Sequence, residues 1–403
     1  MQVKNIKTIF LKELKDTLRD RRSVIFMLLV PLLAMPLLMN GVTKLMISQV
    51  KKIEGQKSGL VVQNVGQLPA DLQDTLRASE RFNLIDESIY GESAMDSLKA
   101  GVIDLLMVVP DNFAAAIDLE SPTDLEIYYD NADDESSSAQ DKLSDLLSRY
   151  KNRAIEARLV KRNISTDLLK PFAEVNNSVA SPQKLAGQRL GRIIPYFIIL
   201  MCFLGAMYPA IDLCVGEKER GTLETLLVAP ATRGEFVLGK YGVILLTGMV
   251  AGLLSMASMT YSLNNMFGDM QTGAAMMPKI EFNLSTIALI LMIVVPLAGI
   301  FAAILLSVSI FAKSAKEAQG YMSLANMLLI FPAFVSFLPG INLNVTMALI
   351  PVINTSLIVR DAIGGQTNWT LVVIAFISTF ALASLALFFA KKWFEREEVL
   401  FRM

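Results

Sequence analysis

NLSTIALILMIVVPLAGIFAAILLSVSIFA, residues 283–312, carries no charged side chain, and that decides the fold class. A helix rises about 1.5 Å per residue, so about 20 apolar residues cross a hydrocarbon core. This stretch is long enough to do so, with Pro296 as an expected kink. Working outward, residues 241–267, 193–211 and 23–43 are also uncharged and of spanning length upstream, and residues 367–390 are so downstream. Between them, residues 318–359 hold no charge but include Pro332, Pro339, Gly340 and Pro351. That is too long for one crossing and short for two with a turn, so a full crossing followed by a re-entrant hairpin at about 339–359 is expected. The whole chain of 403 residues is 53% hydrophobic, too apolar for an ordinary soluble enzyme.

The expected fold is therefore an α-helical membrane protein with six transmembrane helices plus a re-entrant hairpin. Basic residues set its orientation through the positive-inside rule. Lys4, Lys7, Lys12, Lys15, Arg19, Arg21 and Arg22 precede the first span, and Lys218, Arg220, Arg233 and Lys240 follow the second. Lys313 and Lys316 follow the fourth, and Lys391, Lys392, Arg396 and Arg402 follow the last, whereas the opposite short loops offer Lys279 and Arg360. Both termini are expected in the cytoplasm. The first span reads as a retained signal anchor, since no small-residue cleavage site follows it.

The resulting division is an interfacial amphipathic helix (1–22), a first span (23–46), an extracytoplasmic α/β domain (47–190) and the remaining five spans (191–403). Within the inserted domain, 59–63, 105–109 and 125–129 read as strands. Residues 69–79, 93–100, 111–117 and a long amphipathic run at 136–163 read as helices. Asp130, Asp133, Asp134 and Glu135 lack the spacing of a calcium loop and read as a solvated turn capping the last of these helices.

Several chemistries are excluded. There is no histidine, which removes His-based acid–base catalysis, His-containing triads and His metal sites. Cys202 and Cys214 lie in or beside one apolar segment, as packing residues do, and the inserted domain has no cysteine for a disulfide. An intramembrane metalloprotease is disfavoured for want of a zinc-ligand set. Residues 234–240, GEFVLGK, match the start of a phosphate-binding loop, but Tyr241 stands where Ser or Thr would hold Mg²⁺ and no strand precedes them. The match is chance, so any nucleotide chemistry belongs to a partner. Gly248 and Gly252 form a GxxxG spacing, open either to packing within the chain or to self-association.

The most informative polar segment is GEKERGTLETLLVAP, residues 216–230. It is dense in charge and carries Leu223, Leu226 and Leu227 at helical spacing. Thr222 is placed to cap a short helix, Glu224 and Thr225 lie in its first turn, and Pro230 stops it. This run resembles the segment between the second and third spans of ABC-2 type exporter permeases. DLLMVVPDNF (104–113), AKEAQ (315–319), FLPG (337–340) and LIPVINTSL (349–357) are similar to the NatB-like sodium-extrusion branch of that family. The resemblance covers essentially the whole chain.

It implies the ABC-2 (type V) exporter fold in the inner membrane of a bacterial cell, with no catalytic residue of its own. ATP and Mg²⁺ would be held by a separate cytoplasmic ABC ATPase, in two copies against a homodimer of this permease, with the lipid bilayer and no nucleic acid as further surroundings. Residues 216–230 would form the coupling helix that docks on that ATPase, through Glu217, Lys218, Glu219, Arg220, Gly221, Thr222, Glu224 and Thr225. The N-terminal helix, with Ile6, Phe10, Leu14 and Leu18 on one face, would lie in the interface and touch the ATPase too. Ser323, Asn326, Asn354, Thr355 and Asp361 are candidates for a translocation path; their amides and hydroxyls suit either an ion route or hydrogen bonds between helices. Export of Na⁺ is the expectation. Export of another cargo (a drug, a peptide or a lipid), or a non-transporting sensor or mechanotransmission subunit that reports to the partner, is the alternative.

Overall fold

A computed structural model describes residues 2–85, 89, 93–169, 172, 181–189, 191–222, 230–269, 283–338 and 340–394. Residues 223–229 of the coupling helix expected at 216–230, Glu224 and Thr225 among them, lie outside the described residues, as do Pro339 and the C-terminal Arg396 and Arg402.

In chain order the elements are α1 (Val3–Arg19), α2 (Arg21–Val24), α3 (Met35–Gly55), β1 (Ser58–Gln63), α4 (Ala70–Ala78), β2 (Phe82–Ile85), α5 (Ala94–Lys99), β3 (Leu105–Val108), α6 (Phe113–Asp118) and β4 (Glu126–Tyr128). There follow α7 (Asp134–Lys161), α8 (Pro182–Arg189), α9 (Ile193–Ile211), α10 (Glu217–Glu219), α11 (Arg233–Asp269), α12 (Leu284–Phe311), α13 (Ala315–Ala333), α14 (Val345–Leu349), α15 (Ile353–Ile363) and α16 (Trp369–Phe394). The chain separates into two compact units, 1–43 with 178–403, and 44–177. Residues 181–189, read from the sequence with the inserted domain, pack in the helical unit. The reason is a glycine contact: a Cβ on Gly187 of α8 would lie 2.2 Å from the Gly364 Cα at the end of α15.

The smaller unit is built on a four-stranded sheet ordered β2-β1-β3-β4, parallel except for the antiparallel edge β4. β1 and β3 are near-continuous apolar runs because helices cover both faces. Leu60, Val62, Leu105 and Met107 face Leu72 and Leu76 of α4 and Ala139, Leu143 and Leu146 of α7. Val61 and Leu106 face Ala94 and Leu98 of α5. β2 escaped the sequence reading because it is four residues long with only Phe82 fully buried. The acidic turn caps α7 as expected, Asp133 accepting from the Glu135 amide at 3.1 Å. The apolar stripe of α7 is shorter than its sequence implies. Leu143 and Leu146 are buried, but Val160 is exposed. Leu143→Ala is expected to cost about 2–5 kcal/mol in this unit, read as faster protease cleavage within 44–177 of the full chain.

The larger unit is helical. Among the described residues, six helical stretches are long and apolar enough to cross a membrane: Arg21–Val42, Ile193–Glu219, Arg233–Asn265, Leu284–Phe311, Ala315–Phe337 and Trp369–Phe394. The second and fourth are the most enclosed, each with 78% of its apolar window buried, whereas the first, fifth and last are mostly uncovered. Those outer helices expose Leu29, Leu33, Leu328, Phe331, Ile377 and Phe388, side chains suited to hydrocarbon.

The first stretch passes through a π-helical segment, Ile25–Ala34, which contains Pro31. Proline has no N–H to give to the ladder, and a wider turn accommodates it. α12 runs through Pro296 as one helix without a break. The expected hairpin region holds two short helices, α14 and α15, joined at Ile350–Pro351–Val352. Val352 sits at φ +72°, a strained conformation for a β-branched residue.

Candidate coupling site

Lys240 lies about two turns into α11, within an otherwise apolar run, and is almost wholly buried. Its Nζ stands 2.7 Å from Glu217 Oε2 and 3.4 Å from Glu13 Oε1, and it donates to the Leu213 carbonyl. Glu13 and Glu217 are themselves buried. Lys12, at the rim, is 3.2 Å from Glu13 and 3.9 Å from Glu217. Two carboxylates thus share two ammoniums, which satisfies the condition for keeping charges out of water.

Local sequence makes this possible. A Cβ on Gly239 would fall 2.5 Å from Ile9 Cγ2, and one on Gly242 would fall 3.1 Å from the Phe10 ring. Glycine at both places lets α1 lie directly on α11. The start of α11 is tied to α1 as well, because Glu235 accepts from the Gln2 amide at 2.5 Å and from Asn5 Nδ2 at 3.1 Å. At the other end of α1, Asp20 caps α2 through the Ser23 amide at 2.8 Å. Partial burial alone would raise the Asp20 carboxyl, but the bonds from Ser23 and Arg22 outweigh it and hold it below the ordinary range.

One face of α1 packs on the helical unit. Ile9, Phe10 and Leu14 pack against the core, Glu13 and Thr17 are buried, and Leu18 is half exposed. The buried face is centred on Glu13, not on the line from Ile6 to Leu18.

The segment after α9 is held on its other side too. Lys218 donates to the Ile310 carbonyl and, at 3.4 Å, to that of Ala312. Glu219 accepts from the Ala315 amide at 2.8 Å, at the start of α13. Arg220 pairs with Asp212 at 2.7 Å. Gly221 has φ +68°, and the bonds Thr222 N to Glu217 O and Gly221 N to Lys218 O form a Schellman closure. Thr222 thus ends the preceding helix. The charges read as a contact for a partner are engaged within the chain, and Glu217 in particular is buried. Arg220 remains largely exposed. The result is a junction where α1, α9, α11 and the 312–315 link meet.

The five polar residues grouped as a path are not brought together. Ser323 is exposed on α13, and Asn326 is part-buried beside Tyr196 and Phe203. Asn354 and Thr355 are fully buried. Asn354 donates to Thr379 Oγ1 at 2.9 Å and to the Ala348 carbonyl at 3.0 Å, so it joins α14, α15 and α16. Thr355 donates to Asn354 Oδ1 at 3.1 Å. Asp361 accepts from Arg360 Nε at 3.0 Å. Asn354 makes hydrogen bonds between helices. The GxxxG glycines pack inside the chain: Cβ atoms on Gly248 and Gly252 would lie 2.7 Å from the Cys202 carbonyl and 3.3 Å from the Ile198 carbonyl of α9.

Sequence reasoning missed Glu13 and Lys240. Their signal was a charge in a place that should be apolar: Glu13 between Phe10 and Leu14 on one face, and Lys240 inside FVLGKYGVILL.

The profile of ABC-2 family transporter proteins matches residues 21–390, nearly the whole chain. The chain belongs to that family. It is also 28% identical over 394 residues to the ABC transporter permease protein NatB of Bacillus subtilis (strain 168), a match covering 96% of this chain and 98% of that protein. As an ABC-2 family member it is the multi-pass membrane subunit of an ABC transporter, and membership implies a separate ATPase subunit.

Proposed function

We propose that this ABC-2 permease exports Na⁺, driven by a cytoplasmic ATPase that acts on the segment 216–230. The observation that carries the coupling is the buried set Glu13, Lys240 and Glu217, which binds that segment to α1 and α11. A force applied at Gly221–Thr222 acts at once on α9, on α1 and on the 312–315 link, because each is bonded to the same few residues. The second span is helical from Ile193 to Glu219, about 40 Å by its rise, and carries the displacement through the bilayer. Two permeases facing two ATPases would let ATP-driven closure favour the outward state. Full-length similarity to NatB and the branch resemblance support Na⁺ as cargo. The basic residues of α1 and of 218–240 support a cytoplasmic face for the junction.

The test is ²²Na⁺ uptake by inside-out vesicles holding the permease with its ATPase. ATP-dependent accumulation, lost in Glu219→Ala/Arg220→Ala with membrane insertion intact, is expected. ATP hydrolysis that is stimulated by a different cargo while Na⁺ does not move rejects sodium and keeps the permease role.

A further inference from the structure

At the end of α9 opposite the coupling junction, a cavity of about 280 Å³ opens among α8, α9, the 340–342 turn and the end of α15. Its size is at the bottom of the range for small-molecule sites, which suits a headgroup or a small ion better than a bulky amphipathic compound. Among the described residues its charged lining is Lys184, Arg192, Arg360 and Asp361, three cations against one carboxylate. That carboxylate is already engaged by Arg360 Nε at 3.0 Å, and Arg360 Nη1 donates to the Ile341 carbonyl at 2.9 Å. Only 11% of the Arg360 side chain is exposed, so it is fixed in direction. Among the described residues, neither the Lys184 ammonium nor the Arg192 guanidinium has a side-chain partner. Arg192 is also the N-cap of α9, a helix of 19 residues, and no side chain caps it. The positive end of the helix dipole therefore adds to the same field. Gly187 and Gly364 are in backbone contact at one side of it.

We propose that this cavity is a phosphate-group site. Two uncompensated cations and a planar, oriented guanidinium match a phosphate oxygen set, whereas a bare cation would meet a net positive field. Two sources present that chemistry, the headgroup of an anionic phospholipid and free inorganic phosphate. Neither the cargo nor the sidedness of the chain enters the assignment.

Binding of short-chain phosphatidylglycerol and, separately, of inorganic phosphate to the purified full-length permease, followed by native mass spectrometry and thermal shift at constant ionic strength, tests it. Lys184→Gln/Arg192→Gln is expected to weaken whichever ligand binds by about tenfold or more. Asp361→Asn is expected to tighten it by a few-fold, since it removes the only negative charge among the described lining residues. Both variants alter polar lining positions, and a monodisperse elution profile checks that they fold. Phosphatidylglycerol bound well ahead of phosphate identifies a lipid site, and equal affinities identify free phosphate. If neither ligand distinguishes wild type from the double variant, or if Asp361→Asn weakens binding, the assignment is overturned.

Discussion

Lys240→Met is expected to destabilise the permease by about 3–5 kcal/mol, the usual consequence of leaving a buried charge without its partner. The methionine keeps most of the lysine's bulk, so packing is little changed and the loss is electrostatic. Glu13 and Glu217 would then face each other with only the rim ammonium of Lys12, 3.2 and 3.9 Å away, to balance them. The cheapest relief is for α1 to leave α11, which also releases the segment after α9. A large drop in thermal stability of the purified protein should therefore accompany loss of ATP-driven transport. The triple variant Glu13→Gln/Lys240→Met/Glu217→Gln removes the whole set and should return to within about 1–2 kcal/mol of wild type. Transport in that variant reads whether coupling needs the ion pairs themselves or only the contact. A wild-type melting temperature for Lys240→Met alone would show that the cluster is not closed in the membrane.

The second large effect is steric. A Cβ on Gly205 of α9 would stand 2.2 Å from the Ala251 Cβ of α11, a separation no pair of non-bonded carbons tolerates. Cys202, Ala206, Gly248 and Gly252 continue the same small-residue seam, and these two helices form the centre of the buried helical core. Gly205→Leu must push α9 and α11 apart along their length. Overpacking of a dense core costs about 1–3 kcal/mol and sometimes more, and here it falls on the helix that leads to the Glu13–Lys240–Glu217 junction. The expected result is aggregated or misassembled protein on size-exclusion chromatography. Gly41→Leu is the control. Nothing lies within 4 Å of a Cβ there, and that variant should elute as wild type. Normal elution of Gly205→Leu would mean that the α9–α11 seam is looser than its glycines imply.

Much of the architecture was legible because the bilayer imposes a one-dimensional rule. A span must be apolar for about 20 residues wherever it sits in the bundle, so 193–211 and 283–312 could be found by counting. The strands at 59–63 and 105–109 were equally plain, being apolar runs too short for helices and bounded by turn signals. β2 was not, since four residues with one buried phenylalanine carry almost no pattern. The function of Asn354 was open in sequence because an amide can bond a helix or an ion with the same atoms. Its neighbours Ala348, Thr379 and Ser378, which its amide bonds, come from distant parts of the chain and could not be read from sequence.

By itself, the sequence determined a membrane-spanning helical chain with an α/β insert, a charged segment after the second long span, and no histidine chemistry. These follow from composition and local periodicity, which do not depend on what lies across the fold. The tertiary structure alone decided that Glu13, Lys240 and Glu217 meet, that the GxxxG glycines serve internal packing, and that Lys184, Arg192 and Arg360 share a cavity. Each of those joins residues far apart in the chain, at positions where a single charge or glycine has no repeating signal to betray its partner.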